Sequence, residues 1–109
     1  MLALAGNPKI FFYNEAVDLR KGFEGLSYLV ESHFQLSVTE CAYFVFLNKA
    51  RDKIKVLYWD VDGLAIWYKR LEKGRFPKRH ANQVIMERRE LLMMLEGVTP
   101  KKVQKRFII

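Results

Sequence analysis

Residues 52–76 (DKIKVLYWDVDGLAIWYKRLEKGRF) constrain the fold more than any other part of the chain. Two runs rich in β-branched and aromatic residues, 54–59 and 64–69, flank an Asp-Val-Asp-Gly tetrapeptide at 60–63. Asp-Gly favours a hairpin connection because both residues tolerate a positive φ. We therefore predict an antiparallel hairpin in which residues 60–63 form the turn.

The segments before and after the hairpin predict further strands and helices. Residues 9–13 (KIFFY) follow Asn-Pro and predict a short first strand. Residues 42–47 (AYFVFL) are apolar on both faces, which is typical of a central strand. Apolar side chains at helical spacing predict helices over 21–33, with Asp18 as a candidate N-cap, and over 87–96.

Two weaker patterns, at 75–77 and 84–86, indicate short edge strands. The whole predicts an α+β fold: one small domain, with an antiparallel β-meander of three to five strands packed by one N-terminal and one C-terminal helix. A single domain over 1–109 suits the length, with a compact part at about 9–97. The basic tail at 98–109 has two interpretations: it is flexible when the chain is alone, or it docks on a partner.

Composition places the chain among globular proteins, because 50% of the residues are hydrophobic and 14% are aromatic. Cys41, the only cysteine, borders the apolar run 42–47 and is expected to be a buried, inert thiol. The N-terminal segment MLALAGNP lacks the basic region and apolar length of a signal peptide. We therefore expect a cytoplasmic protein.

Positive charge is concentrated in the second half of the chain. Residues 1–48 have a formal net charge of −2, whereas residues 49–109 have +9. A one-sided positive field favours a polyanionic partner, above all nucleic acid, although it also fits a solvated basic face or an acidic protein partner. The candidate DNA-binding residues are Arg20, Lys21, Lys53, Lys55, Lys69, Arg70, Lys73, Arg75, Lys78 and Arg79.

Alternation in the hairpin leaves two interpretations of its aromatic residues. Lys55 and Trp59 on the first strand could share a face with Trp67 and Lys69 on the second, which would make a stacking surface for single-stranded nucleic acid. Alternatively, both Trp side chains belong to the core and the lysines lie at its rim. The second interpretation is favoured in a domain of this size.

Catalytic patterns are nearly absent from the sequence. The two histidines are far apart, and no phosphate-binding glycine loop or nucleophile motif occurs. Asp52, Asp60 and Asp62 are the one carboxylate group that suggests a metal-dependent nuclease, but the predicted strand separates Asp52 from the other two. We expect no enzymatic activity, no metal site and no cofactor.

Five segments, in this order, resemble a known family: DLRKGFEGL at 18–26, FVFLN at 44–48, DKIKVLYWDVDG at 52–63, KRLEKGRF at 69–76 and LLMMLEG at 91–97. The chain is similar to the Orf-two (TnpB-type) accessory proteins of bacterial insertion-sequence family sixty-six. The matched positions are Asp18, Arg20, Lys21, Gly22, Gly25, Asp52, Lys53, Lys55, Trp59, Asp60, Gly63, Lys69, Arg70, Leu71, Glu72, Gly74, Arg75 and Phe76.

The resemblance implies a small protein, encoded beside a separate DDE transposase, that is needed with it for transposition and has no nuclease activity. The leading hypothesis is thus a non-catalytic accessory protein that binds DNA, either the element ends or a transposase–DNA complex. The alternative is a module that binds the transposase without contacting DNA. Both are compatible with a homo-oligomer.

Overall fold

The computed structural model describes residue 4 and residues 6–79 and 83–96, which form five strands and two α-helices. A π-helical turn at Val30–Phe34 continues the first helix. The elements are β1 (Lys9–Phe12), α1 (Phe23–Leu29), β2 (Ala42–Leu47), β3 (Lys53–Asp60), β4 (Gly63–Arg70), β5 (Ile85–Met86) and α2 (Arg88–Glu96).

The five strands form one sheet in the order β4-β3-β2-β1-β5, so β2 is the central strand, as its sequence predicts. Strands β2, β3 and β4 are antiparallel neighbours, which confirms the meander. β1 lies parallel to β2, because the chain between them crosses through α1, and β5 adds an antiparallel pair on its far side. The predicted α+β class is confirmed.

Strand alternation gives the sheet two covered faces, each with its own apolar core. On the first, the α1 face, Leu26 and Val30 pack against Phe44, Phe46 and Leu57. All five side chains are fully buried. This packing positions α1 over β3 and β4.

The α2 face is the second core. Leu91 and Leu95 of α2 pack with Ile54 and Val56 of β3, and Phe76 fills the space beside them. Phe76 is only 1% exposed, so the segment predicted as an edge strand at 75–77 is instead a loop held by a buried aromatic side chain. Proline at position 77 and Gly74, with φ of +78°, do not favour a strand there.

The first helix begins later than predicted, and Asp18 is not its N-cap. Gly22 occupies the N-cap position and no side chain caps the helix. The Asp18 carboxylate instead accepts hydrogen bonds from the backbone N–H and the guanidinium of Arg20. Gln35, in the left-handed conformation with φ of 56°, follows the π-helical turn.

Two local predictions at the end of the sheet that contains the β3–β4 turn are also wrong. The positive φ of the hairpin turn is at Val61 (56°), and Gly63 belongs to β4 without a positive φ. Cys41 is exposed, because it lies just outside β2 in the loop that leads into the strand. Gly97, which follows the predicted helix 87–96 and would be its C-cap, and the tail 98–109 lie outside the described residues. No helix in the described ranges is long and apolar enough to cross a membrane.

Candidate nucleic-acid interface

The strand directions bring most of the cations to one end of the sheet. β1, β2 and β4 finish at this end and β3 begins there, so the loops 13–22, 48–52 and 71–79 all meet at it. We call this the basic end. Its described cations are Arg20, Lys21, Lys49, Arg51, Lys53, Arg70, Lys73, Arg75, Lys78 and Arg79, against the acids Glu15, Asp18, Asp52 and Glu72.

The opposite end, which we call the hairpin end, contains the β3–β4 turn, the starts of β1 and β2, and the start of α2. At this end the described acidic residues outnumber the basic ones by one. The described residues there are Lys9, Arg88 and Arg89 with Glu40, Asp60, Asp62 and Glu87. The positive charge of the sequence is therefore sorted along the strand axis, which a count by halves of the chain does not reveal.

Asn48 organises the turn between β2 and β3 at the basic end. Its side-chain oxygen accepts hydrogen bonds from the backbone N–H groups of Asp52 (3.1 Å) and Lys53 (3.0 Å). Its amide nitrogen donates to Asp52 Oδ1 at 2.6 Å. The Asn48 hydrogen bond, with lesser contributions from Lys53 and Arg70, lowers the pKa of Asp52. This turn fixes where Lys49 projects.

The loop 71–79 is attached to that turn by backbone and side-chain hydrogen bonds. The N–H of Leu71 donates to the Asp52 carbonyl (2.7 Å), and the N–H of Phe76 donates to the Arg51 carbonyl (2.6 Å). Arg51 Nη1 returns a hydrogen bond to the Phe76 carbonyl at 3.1 Å. Together with the buried Phe76 ring, these contacts hold the two basic segments side by side.

In the segments 48–52 and 71–79, four exposed cations make no side-chain hydrogen bond or ion pair within the described residues: Lys49, Lys73, Arg75 and Lys78. An exposed cation without a protein partner keeps its charge available for an external anion. Two others have acidic neighbours at the surface: Arg70 contacts Glu72 at 3.1 Å, and Arg20 contacts Asp18 at 2.6 Å. The Arg20 hydrogen bonds lower the pKa of Asp18 well below its usual range.

A basic groove on the α1 face continues this surface. The register places Lys53 opposite Arg70 and Lys55 opposite Tyr68. Lys55 Nζ lies 4.9 Å from the centre of the Tyr68 ring and donates to the Lys21 carbonyl at 2.9 Å. A cavity of about 660 Å³ opens here, lined among others by Arg20, Lys49, Lys53 and Tyr68. An exposed ring among cations suits a nucleic-acid chain, which offers both phosphates and bases.

Two predicted cations hold contacts within the protein instead of being free. Lys69 lies on the α2 face and donates to the Leu95 carbonyl at 2.7 Å. The Arg79 side chain is 6% exposed and contacts Glu90 at 3.2 Å. It also donates to the Gln83 and Ile85 carbonyls, and its guanidinium lies over the ring of Phe12. The Lys69 and Arg79 side chains are therefore engaged by the protein, and neither belongs to the group of exposed, unpaired cations.

The stacking surface considered for the two Trp residues does not exist. Trp59 pairs with Leu64 and lies on the α1 face, whereas Trp67 pairs with Val56 and packs against the core of the α2 face. Residues paired across two strands point to the same face, and successive residues of a strand point to opposite faces. The two Trp side chains therefore lie on opposite faces of the sheet. Lys55 and Lys69 are separated in the same way. Trp59 is 36% exposed at the hairpin end, so the prediction that both Trp side chains belong to the core is wrong for Trp59.

Sequence analysis missed Lys49 and Tyr68 as members of the interface. Lys49 is a single cation in a polar turn, and only the turn geometry set by Asn48 shows that it borders the loop 71–79. Tyr68 follows the alternation of the hairpin, but its neighbour Lys55 becomes apparent only with the register. No group of His, Cys, Asp or Glu that could hold a metal ion occurs within the described residues, and Asp52 lies at the opposite end of β3 from Asp60.

Comparison with known proteins shows the family. The model of the family described as "IS66 Orf2 like protein" matches residues 8–105, and the chain belongs to this family. It is therefore a transposition-associated protein of insertion-sequence type.

Two relatives come from Sinorhizobium fredii. The "Uncharacterized protein y4hO" is 27% identical over 90% of this chain and 87% of its own length. The "Uncharacterized protein y4jC" is 31% identical over 97% of this chain and 92% of its own length. No solved structure matches the chain.

Proposed function

We propose that this chain is a non-catalytic accessory protein of insertion-sequence transposition that binds DNA through the basic end of its sheet. Its target would be the element ends or a complex of DNA with the transposase that the same element encodes. Family membership supports the link to transposition. The arrangement of the cations supports DNA as the ligand.

One observation carries the DNA proposal: Lys49, Lys73, Arg75 and Lys78 are exposed cations from two segments that hydrogen bonds hold together. Without these hydrogen bonds, residues 48–52 and 71–79 would move independently. Ordering each cation would then cost free energy, and each would add less to the affinity for DNA. A fixed group of charges can contact phosphates without a further cost of ordering the loops. The groove beside Tyr68 would accept an adjoining base or sugar.

The test measures binding of the full chain to DNA that contains the element ends and to random DNA of equal length, across a salt series. We expect log K to fall linearly with log[salt], with a slope of about −0.9 for each phosphate neutralised. Tighter binding of end-containing DNA would show that the protein also reads sequence or shape. A flat salt response, or no binding at low salt, would contradict the proposal.

A second function is favoured by the hairpin end, where apolar side chains are exposed. Val61 is 90% exposed at the tip of the turn, and Trp59 beside it lines a cavity of about 630 Å³ with Pro8, Cys41 and Tyr43. Exposed aromatic and apolar groups of this kind are typical of protein contacts. This alternative is a module that binds the transposase without touching DNA.

Co-purification separates the two functions. A complex with the transposase that survives nuclease treatment and high salt, from a chain that retains no DNA, would favour the module. Loss of the complex after nuclease treatment would favour the DNA-binding protein. Replacing Val61 and Trp59 by Ser should weaken only a direct protein contact.

A further inference from the structure

The two edges of the sheet differ in how they are protected. β5 is an edge strand of only two residues, Ile85–Met86, and charged residues follow it. β4 is an edge strand of eight residues, Gly63–Arg70, and no strand of the described residues pairs with its outer side. Natural sheets usually protect a long edge with charges, proline or a bulge, because its free N–H and C=O groups attract another strand.

β4 has none of these protections along most of its length. Residues 63–68 (GLAIWY) contain no charge and no proline. The register with β3 is unbroken from the pair Lys53–Arg70 to the pair Asp60–Gly63, so no bulge twists the edge away. The edge is therefore a regular, uncharged template for a further strand.

Two backbone hydrogen bonds identify which backbone groups of β4 face outward. The Leu71 N–H donates to the Asp52 carbonyl, and the Asn48 N–H donates to the Lys53 carbonyl. In an antiparallel ladder the bonded side alternates with every residue. Gly63, Ala65, Trp67 and Lys69 therefore bond to β3. The residues with outward N–H and C=O groups are Leu64, Ile66, Tyr68 and Arg70.

We infer that this edge binds β4 of a second copy of the chain, antiparallel and around a two-fold axis at Ile66. In this contact, a residue whose N–H and C=O groups point outward must lie opposite another such residue. Two registers meet this condition and keep nearly the whole of β4 paired. The register centred on Ile66 places Arg70 opposite Asp62 of the second copy. The other register is centred on Trp67 and places Glu72 opposite Asp62 of the second copy, which sets two acids against each other. Charge complementarity therefore selects the register centred on Ile66.

The same register aligns apolar side chains across the contact. Leu64 faces Tyr68 of the second copy, and Ile66 faces its own equivalent, all on the α1 face. Tyr68 is 51% exposed in the single chain, and Leu64 and Ile66 are half-buried, so each has surface left to cover. The sheet would then continue through two chains, and the exposed edge would disappear.

The chain's own tail is a poorer occupant of this edge. The segment 98–109 carries four cations and no acid and contains Pro100, and it would lie beside Lys69 and Arg70. Like charges at adjacent positions oppose such pairing, whereas a second copy brings the acidic turn. The inference does not rest on DNA binding and would survive its failure. Because the contact covers Tyr68, DNA binding by the paired chains would depend on the exposed cations and not on the groove beside this ring.

Sedimentation of the full chain over a range of concentrations tests the contact. We expect the mass to rise from 12.9 kDa toward twice that value, and Ile66→Lys to weaken association at least about tenfold by placing charges opposite each other. Tyr28→Lys is the matched control, because it adds the same charge at an aromatic residue that is 70% exposed on α1. A single chain at every concentration, or equal losses in both variants, would overturn the inference.

Crosslinking tests the register. In a Cys41→Ser background, Ile66→Cys should form a disulfide between copies, since a hydrogen-bonded pair has Cα atoms about 5.5 Å apart. Tyr68→Cys should not, because Tyr68 faces Leu64 of the second copy. The reverse result would contradict this register.

Hydrogen exchange distinguishes the tail from the second copy. In dilute protein the amides of Leu64, Ile66 and Tyr68 should exchange much faster than those of Ala65 and Trp67, and at high concentration they should become protected. Protection of the three amides in the dilute single chain would show that the chain covers its own edge, and would overturn the inference.

Discussion

The basic end and the hairpin end of the sheet are built in contrasting ways. At the basic end, a side-chain hydrogen-bonded turn, a buried aromatic ring and backbone bonds hold two cationic segments against each other. At the hairpin end, a two-residue turn carries an exposed Val61 in the left-handed region, with acids on either side. The difference indicates that the fold orders its cations and leaves its acidic turn with little support.

The largest effect should come from removing the ring that anchors the loop 71–79. Phe76→Ala leaves a cavity in the core of the α2 face and should lower the free energy of unfolding by about 3–5 kcal/mol. Phe23→Ala is the control, because that ring is 48% exposed and should cost less than about 1 kcal/mol. Urea unfolding measures both, and equal losses would mean that Phe76 does not anchor the loop.

A smaller effect is expected at the turn of the basic end. Asn48→Ala removes three hydrogen bonds that fix residues 48–53 and should cost about 1–3 kcal/mol at neutral pH. Asn7→Ala, an exposed asparagine at the hairpin end, should be nearly neutral. Urea unfolding of the two variants compares the ends directly.

The same variant has a pH dependence with a defined sign. The native pKa of Asp52 is lowered, chiefly by Asn48, so this stabilisation is present above the ordinary value of about 3.9 and is lost as pH falls through the native pKa. The stability difference between the native chain and Asn48→Ala should therefore be full above about pH 5 and shrink as the pH falls through the native pKa of Asp52. A difference that stays constant or grows toward acid would contradict this cause.

At the hairpin end a substitution should stabilise the protein. Val61 is β-branched and has a φ of 56°, a conformation that costs such residues about 1–2 kcal/mol. Val61→Gly relieves this cost and should raise the free energy of unfolding by up to about 1 kcal/mol after the entropy of glycine is counted. Val38→Gly, at a half-buried valine without a positive φ, should destabilise instead.

Much of this architecture could be predicted from the sequence because it depends on local pattern. Alternation and turn residues indicated β2, β3, β4 and the antiparallel meander, and helical spacing indicated both helices. The parallel pairing of β1 with β2 could not be predicted, since it follows from a crossover and not from any residue near it.

The candidate site was predictable only in part. The cluster of cations at 69–79 is visible in the sequence, but which of them are free depends on tertiary contacts. Arg79 becomes structural because Glu90 and the ring of Phe12 approach it from distant parts of the chain. Lys49 joins the group because its turn is bonded to the loop that holds Arg75. The prediction of which side chains share a face of the sheet failed for the same reason. The register between β3 and β4 decides to which face each Trp points, and the sequence alone does not specify this register.

The most direct measurement compares the two ends as DNA ligands at equal net charge. The triple variants Lys49→Ala/Lys73→Ala/Arg75→Ala and Lys9→Ala/Arg88→Ala/Arg89→Ala each reduce the formal net charge from +7 to +4, at the basic end and at the hairpin end respectively. We expect the first variant to reduce the magnitude of the salt slope of DNA binding by up to about 2.7, while the second keeps nearly the native slope. Equal slopes in the two variants would contradict the claim that the basic end is the DNA-binding surface.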